Sequence, residues 1–434
     1  MKLKKYSKYK NSGIDWIGEI PEDWQIMKIK HFAKTVAGGT PSTANESFWE
    51  GNIPWLPSGM VHDNIIEEDK VFKFISFEAL NNSSTKWIKP NSVLIALTGA
   101  TCGNISYLPF KATANQSVIG IETNKVDSIY LFYYLLTQKE QILINQTGGA
   151  QGGINQENVR DIFCSIPLLE NQQKISSFLD SKTSQIEKLI KKDRNLIELL
   201  KEKRVSLINQ AVTKGIKRDI KMKESGVEWI GEIPESWKIM SIRRIANIVR
   251  GASPRPAGSP LYFDGNYINW ITVAEVTKGI NEKYLYNTES FLTKEGSLNS
   301  RIIKVNTLLL SNSGATLGVP KITKIKGCIN DGSVAFLDLK NIDINFLFYY
   351  FSQLTKELRD IVQGSGQPNL NTELVKDLKI GLSSLEEQQE IVDFLDKETV
   401  KIDSHIKKVE RRIDLYEEYK KSIIYNVVTG KVEV

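Results

Sequence analysis

The sequence predicts an α+β protein in which two tandem, homologous, mixed α/β domains are separated by a pair of long antiparallel coiled-coil helices with pseudo-two-fold symmetry. Three observations support this fold class: an internal repeat half the length of the chain, two long amphipathic segments without proline or glycine, and strand patterns that recur in both halves. Solenoid repeats have periods of about 20 to 50 residues, so a repeat this long indicates a duplicated domain.

The internal repeat is clearest in a tryptophan-containing segment near the start of each half. Residues 13–24 read Gly-Ile-Asp-Trp-Ile-Gly-Glu-Ile-Pro-Glu-Asp-Trp, and residues 226–237 read Gly-Val-Glu-Trp-Ile-Gly-Glu-Ile-Pro-Glu-Ser-Trp. A second pair follows in the same order, because residues 169–180 and 385–396 share Leu-Glu-x-Gln-Gln-x-Ile and Phe-Leu-Asp. One chain with two copies of a domain can recognise a target that has two halves.

Composition indicates a globular protein with a mild positive charge. The chain has 434 residues, of which 41% are hydrophobic, and a net charge of +6. Its length favours two domains, and no apolar run approaches the roughly 20 residues of a membrane helix. The basic N-terminus has no apolar stretch behind it, so we expect a cytoplasmic protein without a secretory signal.

A basic leader precedes each tryptophan-containing segment, and its cations either contact phosphate or are simply solvated: Lys4, Lys5, Lys8 and Lys10, then Lys217, Arg218, Lys221 and Lys223.

Three cysteines and three histidines are scattered along the chain and do not recur as a set. Cys102, Cys164 and Cys328 have no cysteine at the equivalent position of the other half. No spacing among these residues could assemble a zinc site or a Cys/His catalytic pair. We therefore predict neither a metal site nor catalytic residues, and we expect thiols in a reducing compartment.

Two segments of about 40 residues have the apolar spacing of long helices. In residues 170–211 and 386–427, apolar side chains recur at steps of three, four or their sums. Such a helix measures roughly 60 Å, and its narrow apolar seam requires a partner helix. Because each segment closes a homologous half, we expect an antiparallel pair that also docks other subunits; the alternative is a coiled coil that serves stability alone. The predicted seam consists of Ile186, Ile190, Ile197, Leu200, Ile402, Ile406, Val409 and Ile413.

Charged residues also fall at seam-like positions, among them Asp193 and Arg204. A charge in an apolar seam weakens a two-helix interface. We therefore expect that a third or fourth helix from a partner also packs against this pair.

The two globular stretches diverge but share a skeleton. An apolar run followed by Gly-Ala-Thr occurs in both, at residues 93–101 and 308–316, and predicts a buried strand that ends in a glycine turn. Asp127 and Asp343 each precede an aromatic segment, where the carboxylate can cap the start of a helix. We interpret these aromatic residues as core, not as a surface that stacks on bases.

A glycine-rich loop precedes each long helix, at residues 148–155 and 364–371. Neither copy continues with the Lys and Ser or Thr of a phosphate-binding P-loop, but both keep Gln and Asn. Their carboxamides can pair with the edge of adenine in the major groove, and a glycine backbone can approach phosphates. The alternative is a turn that needs glycine torsions and asparagine hydrogen bonds to its own backbone.

This set of motifs resembles the specificity (S) subunits of type I restriction-modification systems. The resemblance rests on residues 8–24, on Gly-Gly-Thr-Pro-Ser at 38–42 with its relative Arg-Gly-Ala-Ser-Pro-Arg-Pro at 250–256, and on the start of the first long helix at 166–173. It spans the whole chain. The second copy departs from the pattern at residues 382–385, which lack the proline of the first copy.

The resemblance implies a role in defence against foreign DNA. In such subunits, two target recognition domains each read half of a bipartite sequence in double-stranded DNA, and the spacer helices dock two modification (methyltransferase, M) subunits that methylate adenine. S-adenosylmethionine is expected on the methyltransferase subunit, and no cofactor on this chain. Restriction (R) subunits, which are ATP-dependent translocases and nucleases, join in some complexes. The implied boundaries are 1–168 for the first domain with its leader, 169–213 for the first spacer helix, 214–384 for the second domain with its leader, and 385–434 for the second spacer helix and tail.

Divergent recognition domains imply an asymmetric target. If both half-sites lie on one face of the duplex, their centres should be about one helical turn, roughly 34 Å, apart. Arg255 is the strongest candidate for a guanine or phosphate contact, because its guanidinium can bond two acceptors. We predict DNA contacts from polar loop residues at equivalent places in both copies: Thr40, Ser42, Thr98, Thr101, Gln151, Asn155, Ser253, Arg255, Ser313, Thr316, Gln367 and Asn371.

The alternative functions are a self-contained methyltransferase or nuclease, and a coiled-coil protein scaffold with paired domains that does not bind DNA. The chain has no Asn- or Asp-Pro-Pro-aromatic tetrapeptide and no glycine-rich cofactor fingerprint, so we expect it not to be an enzyme. Salt-dependent DNA binding by the complex separates the specificity subunit from the scaffold.

Overall fold

The chain divides into two units, residues 1–193 with 411–434 and residues 194–410. Each unit holds one globular domain and part of both long helices, because the division crosses each helix near its middle. The structure is a computed structural model that describes residues 4–144, 152–279, 282–313, 316–362 and 369–434.

The first globular domain is built on a five-stranded sheet, in which only the last two neighbouring strands are parallel. In spatial order, its strands are Ala33–Ala37, Val118–Thr123, Ser92–Ala96, Ile105–Leu108 and Asn64–Ile65. A smaller sheet contains Thr113–Ala114, Ile53–Leu56 and Phe74–Ile75. Two antiparallel pairs complete the strands: Tyr9–Asn11 with Glu19–Pro21, and Gln25–Lys28 with Phe163–Ile166.

Short helices cover the sheets of the first domain. The α-helices are Ile29–Phe32, Phe77–Asn81, Ser128–Leu136, Lys139–Ile144 and Gln156–Arg160. Single 3-10 turns occur at Glu46–Trp49, Ser58–Met60, Glu68–Lys70 and Gly99–Thr101.

The second domain repeats this arrangement, and its five-stranded sheet has the same strand order and directions. That sheet contains Asn247–Arg250, Ser333–Leu337, Thr307–Ser311, Pro320–Thr323 and Tyr284–Leu285. The other strands are Phe291–Leu292, Ile268–Ile271, Gly327–Ile329 and Arg301–Ile303 in one sheet, Met222–Glu224 with Glu232–Pro234, and Lys238–Ser241 with Lys379–Leu382. The helices are Ile242–Ile245, Pro260–Phe263, Val273–Thr277, Lys294–Leu298, Ile344–Gln353, Thr355–Val362 and Thr372–Asp377. The shared topology confirms the domain duplication.

The aromatic segments form core helices, as the sequence predicts. Ser128–Leu136 and Ile344–Gln353 each bury nearly all of their aromatic side chains. The Asp127 carboxylate accepts a hydrogen bond from the Tyr130 amide at 2.8 Å, and Asp343 caps the second helix in the same way. These caps satisfy amides that have no partner within the helix.

The two long helices are Leu169–Lys214 and Leu385–Val428. In the first unit, Lys420 Nζ lies 2.6 Å from Glu187 Oε1, and Arg412 contacts Asp193. Residue numbers therefore rise along one helix as they fall along the other, so the helices pair antiparallel as predicted.

The same pairing recurs in the second unit. Arg204 Nε donates to Asp403 Oδ1 at 2.9 Å, and these two positions are the repeat equivalents of Lys420 and Glu187 in the sequence. The duplication therefore extends to the ion pairs of the helix seam.

Charges in the seam have their partners on the opposite long helix. Arg412 donates from Nε and Nη2 to the Asp193 carboxylate at 2.6 and 2.7 Å, and the Asp193 side chain is only 11% exposed. Arg204 has Asp403. These charges therefore need no further helix to pair with, and the packing of a partner's helix against this pair stays a prediction.

The predicted seam residues face the partner helix to different degrees. Five of them are buried, namely Ile186, Ile190, Ile197, Ile402 and Val409. The other three are partly buried, namely Leu200, Ile406 and Ile413.

The repeated glutamine of each long helix attaches that helix to its domain. Gln172 is buried, accepts from the Asp127 amide at 2.7 Å and donates to the Pro167 carbonyl at 2.8 Å. Gln388 repeats both bonds, since it accepts from the Asp343 amide at 2.8 Å and donates to the Ser383 carbonyl at 3.0 Å. A backbone carbonyl serves equally well from Pro167 or Ser383, so the missing proline leaves the start of the second helix unchanged.

The repeated Phe-Leu-Asp motif makes a second attachment. Tyr133 donates its hydroxyl to Asp180 at 2.8 Å, and Tyr349 donates to Asp396. Each aspartate thus ties a long helix to the aromatic core helix of its own domain.

Among the described residues, no helix is both long enough and apolar enough to cross a membrane.

Candidate nucleic-acid interface

Thr40, Ser42, Thr98 and Thr101, which are predicted to contact DNA, lie on loops at one end of the five-stranded sheet of the first domain. Ile119 pairs with Ala37, and Val118 pairs with Ala96. Two strands therefore end, and a third begins, at the same edge. The loop after Ala37, the turn after Ala96 and the turn at 115–117 meet there.

Hydroxyl side chains connect these loops. Thr40 donates its hydroxyl to the Gln116 side-chain oxygen, and Thr98 donates to the Ser117 hydroxyl at 2.8 Å. Thr101 donates to the Thr98 carbonyl at 3.5 Å. Ser42 is exposed on the same loop as Thr40 but takes part in this network with none of these side chains.

The second domain forms an equivalent edge. Arg250 pairs with Val334, and Ser311 pairs with Ser333, so the loops after both strands meet the turn at 330–332. Ser253 and Arg255 lie on the first of these loops, and Ser313 and Thr316 lie on the second.

Asp331 organises this edge of the second domain. It accepts from the Ser253 hydroxyl at 2.6 Å, and its other carboxylate oxygen lies 3.6 Å from Arg255 Nη2. Arg250 Nε donates to the Asp331 carbonyl at 2.9 Å. The Arg255 side chain is 72% exposed, so its remaining donors face solvent.

Ser313 and Thr316 contribute backbone contacts to this edge. Ser313 forms an isolated antiparallel bridge with Asn369, as Thr98 does with Gly153 in the first domain. The Thr316 carbonyl accepts from the Ser311 hydroxyl at 2.6 Å.

The two asparagines at the ends of the glycine-rich loops cap short helices. Asn155 accepts from the Asn158 amide, and Asn371 accepts from the Leu374 amide, both at 2.9 Å. Their side-chain oxygens therefore make the local backbone bonds that the sequence left as an alternative. Both residues are exposed, and a DNA contact from them stays a prediction. Gln151 and Gln367 lie outside the described residues.

Sequence reasoning missed Gln116 and Asp331. They follow Asn115 and Asn330, which are equivalent asparagines of the two repeat copies. This equivalence was the available signal, but the two side chains differ, and a search for shared residues passes over them.

Several leader cations already have protein partners. Lys8 lies 3.7 Å from Glu22, and Lys217 lies 3.2 Å from Glu390. Lys223 donates to the Glu235 carbonyl at 2.6 Å. The contact of Lys217 joins its leader to the second long helix, and the contacts of Lys8 and Lys223 lie within their own domains. Phosphate contacts from the leaders stay a prediction.

The cysteines are free and buried. Burial raises the pKa of the Cys164 and Cys328 thiols, which disfavours the nucleophilic thiolate. Among the described residues, no group of three or more His, Cys, Asp or Glu side chains could hold a metal ion.

Comparison with known proteins places the chain in a family. The type I restriction modification DNA specificity domain matches twice, at residues 21–199 and 234–412. The chain is 27% identical to the type I restriction enzyme MjaVIII specificity subunit of Methanocaldococcus jannaschii, over 96% of this chain and 94% of that protein. It is 21% identical to the EcoR124I/EcoR124II specificity subunit of Escherichia coli, over 54% of this chain and 52% of that protein.

Two solved structures share the fold. One is a chain from a study of complex assembly and conformational transition of the type I R-M system, with a TM-score of 0.75 and 15% identity over 94% of this chain and 98% of that chain. The other is the HsdS subunit from Thermoanaerobacter tengcongensis, with a TM-score of 0.55 and 15% identity over 95% of this chain and 98% of that chain. Since the two family matches together cover most of its length, the chain belongs to the type I restriction modification DNA specificity domain family.

Proposed function

We propose that this chain selects the DNA target of a type I restriction-modification complex, and that each domain reads one half of a bipartite, asymmetric sequence. The observation that carries the proposal is a shared scaffold with divergent edge residues. Thr40 and Ser253 occupy equivalent positions and make equivalent hydrogen bonds, but their partners are Gln116 and Asp331.

A shared backbone with different edge side chains suits the recognition of two different half-sites. A shared backbone presents each edge to the duplex in the same way, and different polar side chains bond different base edges. The exposed guanidinium of Arg255 is replaced by a hydroxyl in the first domain, because the equivalent position there is Ser42. Because the polar edges of the two domains carry different side chains, they would read different half-sites.

The long helices also carry duplicated outward-facing groups. Leu199 and Leu415 occupy equivalent positions of the two repeat copies, and they are 61% and 47% exposed, whereas the predicted seam residues are buried or partly buried. An exposed leucine at equivalent positions of both helices fits a partner that binds in two copies. We propose that this partner is the methyltransferase subunit, with one copy on each leucine.

In the proposed complex, the partner subunits catalyse the reactions on DNA. The methyltransferase subunits would carry S-adenosylmethionine and methylate adenine, and restriction subunits would join where DNA is cut. This chain itself would be non-catalytic, and it would act in the cytoplasm with the DNA that it selects.

The experiment compares adenine methylation across the genome of two hosts. Both express a methyltransferase subunit that assembles with this chain, and one host lacks only this chain. Loss of a bipartite asymmetric motif with a fixed gap in the second host supports the proposal. Identical methylation in both hosts would favour a scaffold that does not bind DNA.

A further inference from the structure

A three-residue turn lies at the centre of the polar edge in the first domain. Three backbone hydrogen bonds fix the turn at 115–117. The Asn115 amide donates to Leu56 at 3.0 Å, the Val118 amide donates to Asn115 at 3.1 Å, and the Leu97 amide donates to Ser117 at 2.8 Å. The middle residue of this turn is Gln116.

The turn at 330–332 has the same three bonds in the second domain. The Asn330 amide donates to Ile271 at 3.1 Å, the Ser333 amide donates to Asn330 at 3.2 Å, and the Asn312 amide donates to Gly332 at 3.0 Å. Every one of these positions follows its equivalent in the first domain at one constant offset along the sequence. The middle residue here is Asp331.

A glycine in the neighbouring loop packs directly against the backbone of each turn. A Cβ atom on Gly38 would lie 2.0 Å from the Asn115 carbonyl oxygen, and a Cβ on Gly251 would lie 2.0 Å from the Asn330 carbonyl oxygen. Only glycine allows so close an approach of two backbones. The loop and the turn are therefore locked together in both domains, and the backbone positions of Gln116 and Asp331 are set before any ligand binds.

The side chains on this shared backbone are chemically different. Gln116 is exposed and presents a carboxamide, which carries a donor and an acceptor side by side. Asp331 presents a carboxylate, which only accepts, and it lies next to the guanidinium of Arg255, which only donates. Neighbouring hydroxyls of Thr40 and Ser253 hold both groups in place.

Each arrangement matches one kind of base pair in the major groove. A carboxamide complements the N6 donor and N7 acceptor of adenine. A carboxylate accepts from N4 of cytosine, and a guanidinium donates to O6 and N7 of guanine, so an adjacent Asp and Arg complement one C·G pair. Where the base pair offers no such donor, the carboxylate has no partner and is repelled by the phosphates. Asp331 would therefore disfavour base pairs that lack the cytosine amino group at this position.

We propose that Gln116 and Asp331 are specificity-determining residues, with Gln116 selecting an A·T pair in one half-site and Asp331, together with Arg255, selecting a C·G pair in the other. This inference rests on the proposed function, because it assumes that the polar edges meet DNA. It goes further by naming the positions that make the half-sites differ.

The test uses the full chain in complex with its methyltransferase subunit. The wild-type motif is mapped first, and binding is then measured to duplexes that carry one base-pair substitution at each position. For the wild type, we expect at least about tenfold discrimination at each selected pair. Asp331→Asn should reduce this to a few-fold at one C·G pair of one half-site. Gln116→Ala, which removes the carboxamide without adding a charge, should do so at one A·T pair of the other.

Matched controls lie at the opposite ends of the same sheets. Asp338→Asn removes the same charge, and Asn124→Ala removes a carboxamide, at exposed positions just after Leu337 and Thr123. Both variants should leave every preference unchanged. A Gln116 or Asp331 variant that keeps the wild-type preferences, or that loses affinity equally at all positions, would overturn the inference. A wild-type complex without any sequence preference would instead overturn the proposed function.

Discussion

Asp127 and Gln172 join the first globular domain to its long helix, because the Asp127 amide donates to the buried Gln172 side chain at 2.7 Å. Asp343 and Gln388 repeat this bond at 2.8 Å in the second domain. A recognition domain must be held in a fixed orientation on its helix if it is to meet DNA in register. The repeated glutamine provides this link twice.

Gln172→Ala should destabilise the first unit by about 1–3 kcal/mol, because it leaves the partly buried Asp127 amide and the buried Pro167 carbonyl without this partner. The free energy of unfolding in urea measures the effect. The neighbouring Gln173 is exposed, and Gln173→Ala is the control, with an expected change within about 0.5 kcal/mol. Equal effects of the two variants would show that the link is not structural.

Arg412→Ala should lower the melting temperature more than Lys420→Ala does. Removing Arg412 leaves the nearly buried Asp193 carboxylate without its two charged hydrogen bonds. Lys420 instead pairs with Glu187, whose side chain is 61% exposed and can be hydrated. Thermal unfolding followed by circular dichroism checks the order, and a larger loss for Lys420→Ala would contradict it.

Stability should fall steeply above about pH 10. Burial, followed by the charge of Glu433, raises the pKa of Tyr6 to about 12, and burial raises the pKa of Tyr134. The folded state therefore binds more protons than the unfolded state, whose tyrosines titrate near pH 10, and stability declines as pH rises from there towards the folded pKa. Urea midpoints at pH 8 and pH 10.5 measure this loss.

Tyrosinate absorbance supplies the matching control for the pH dependence. The buried tyrosines should ionise together with unfolding, not before it. The variant Tyr134→Phe should lose less stability between the two pH values than the wild type. Ionisation of all tyrosines near pH 10 in a folded protein would contradict the assignment.

Arg255→Ala should weaken DNA binding by the complex without disturbing its assembly. If Arg255 contacts a phosphate, the slope of log affinity against log salt should fall by about 0.9; if it contacts guanine, discrimination at one base pair should fall instead. The control is Arg244→Ala, an exposed arginine at the other end of the strand that leads to Arg250. Unchanged affinity and salt slope for Arg255→Ala would remove this residue from the interface.

Leu199→Asp and Leu415→Asp should each prevent one methyltransferase subunit from docking. Both side chains are exposed, so the helix pair should stay folded. Ile406→Asp lies in the partly buried seam and should disturb assembly through the helix pair itself, while each domain stays folded. The mass of the assembled complex distinguishes these outcomes, and full assembly of both leucine variants would exclude this docking surface.

Much of the fold follows from the sequence, because apolar periodicity and the long repeat specify the helices, their pairing and the domain duplication. The roles of individual polar residues do not follow so directly. Asp193 and Arg204 look out of place in a seam until the register puts Arg412 and Asp403 opposite them. Gln116 and Asp331 escape a search for shared residues because the two side chains differ between the repeat copies.

The most direct test of the account is a chain in which residues 247–378 are replaced by their equivalents from the first domain, residues 34–162. Its methylation motif is mapped in a host that supplies the methyltransferase subunit. If each domain reads one half-site, the motif should become symmetric, with the first domain's half-sequence on both sides of the gap. Persistence of the asymmetric wild-type motif would contradict the central claim that the domains read the two halves separately.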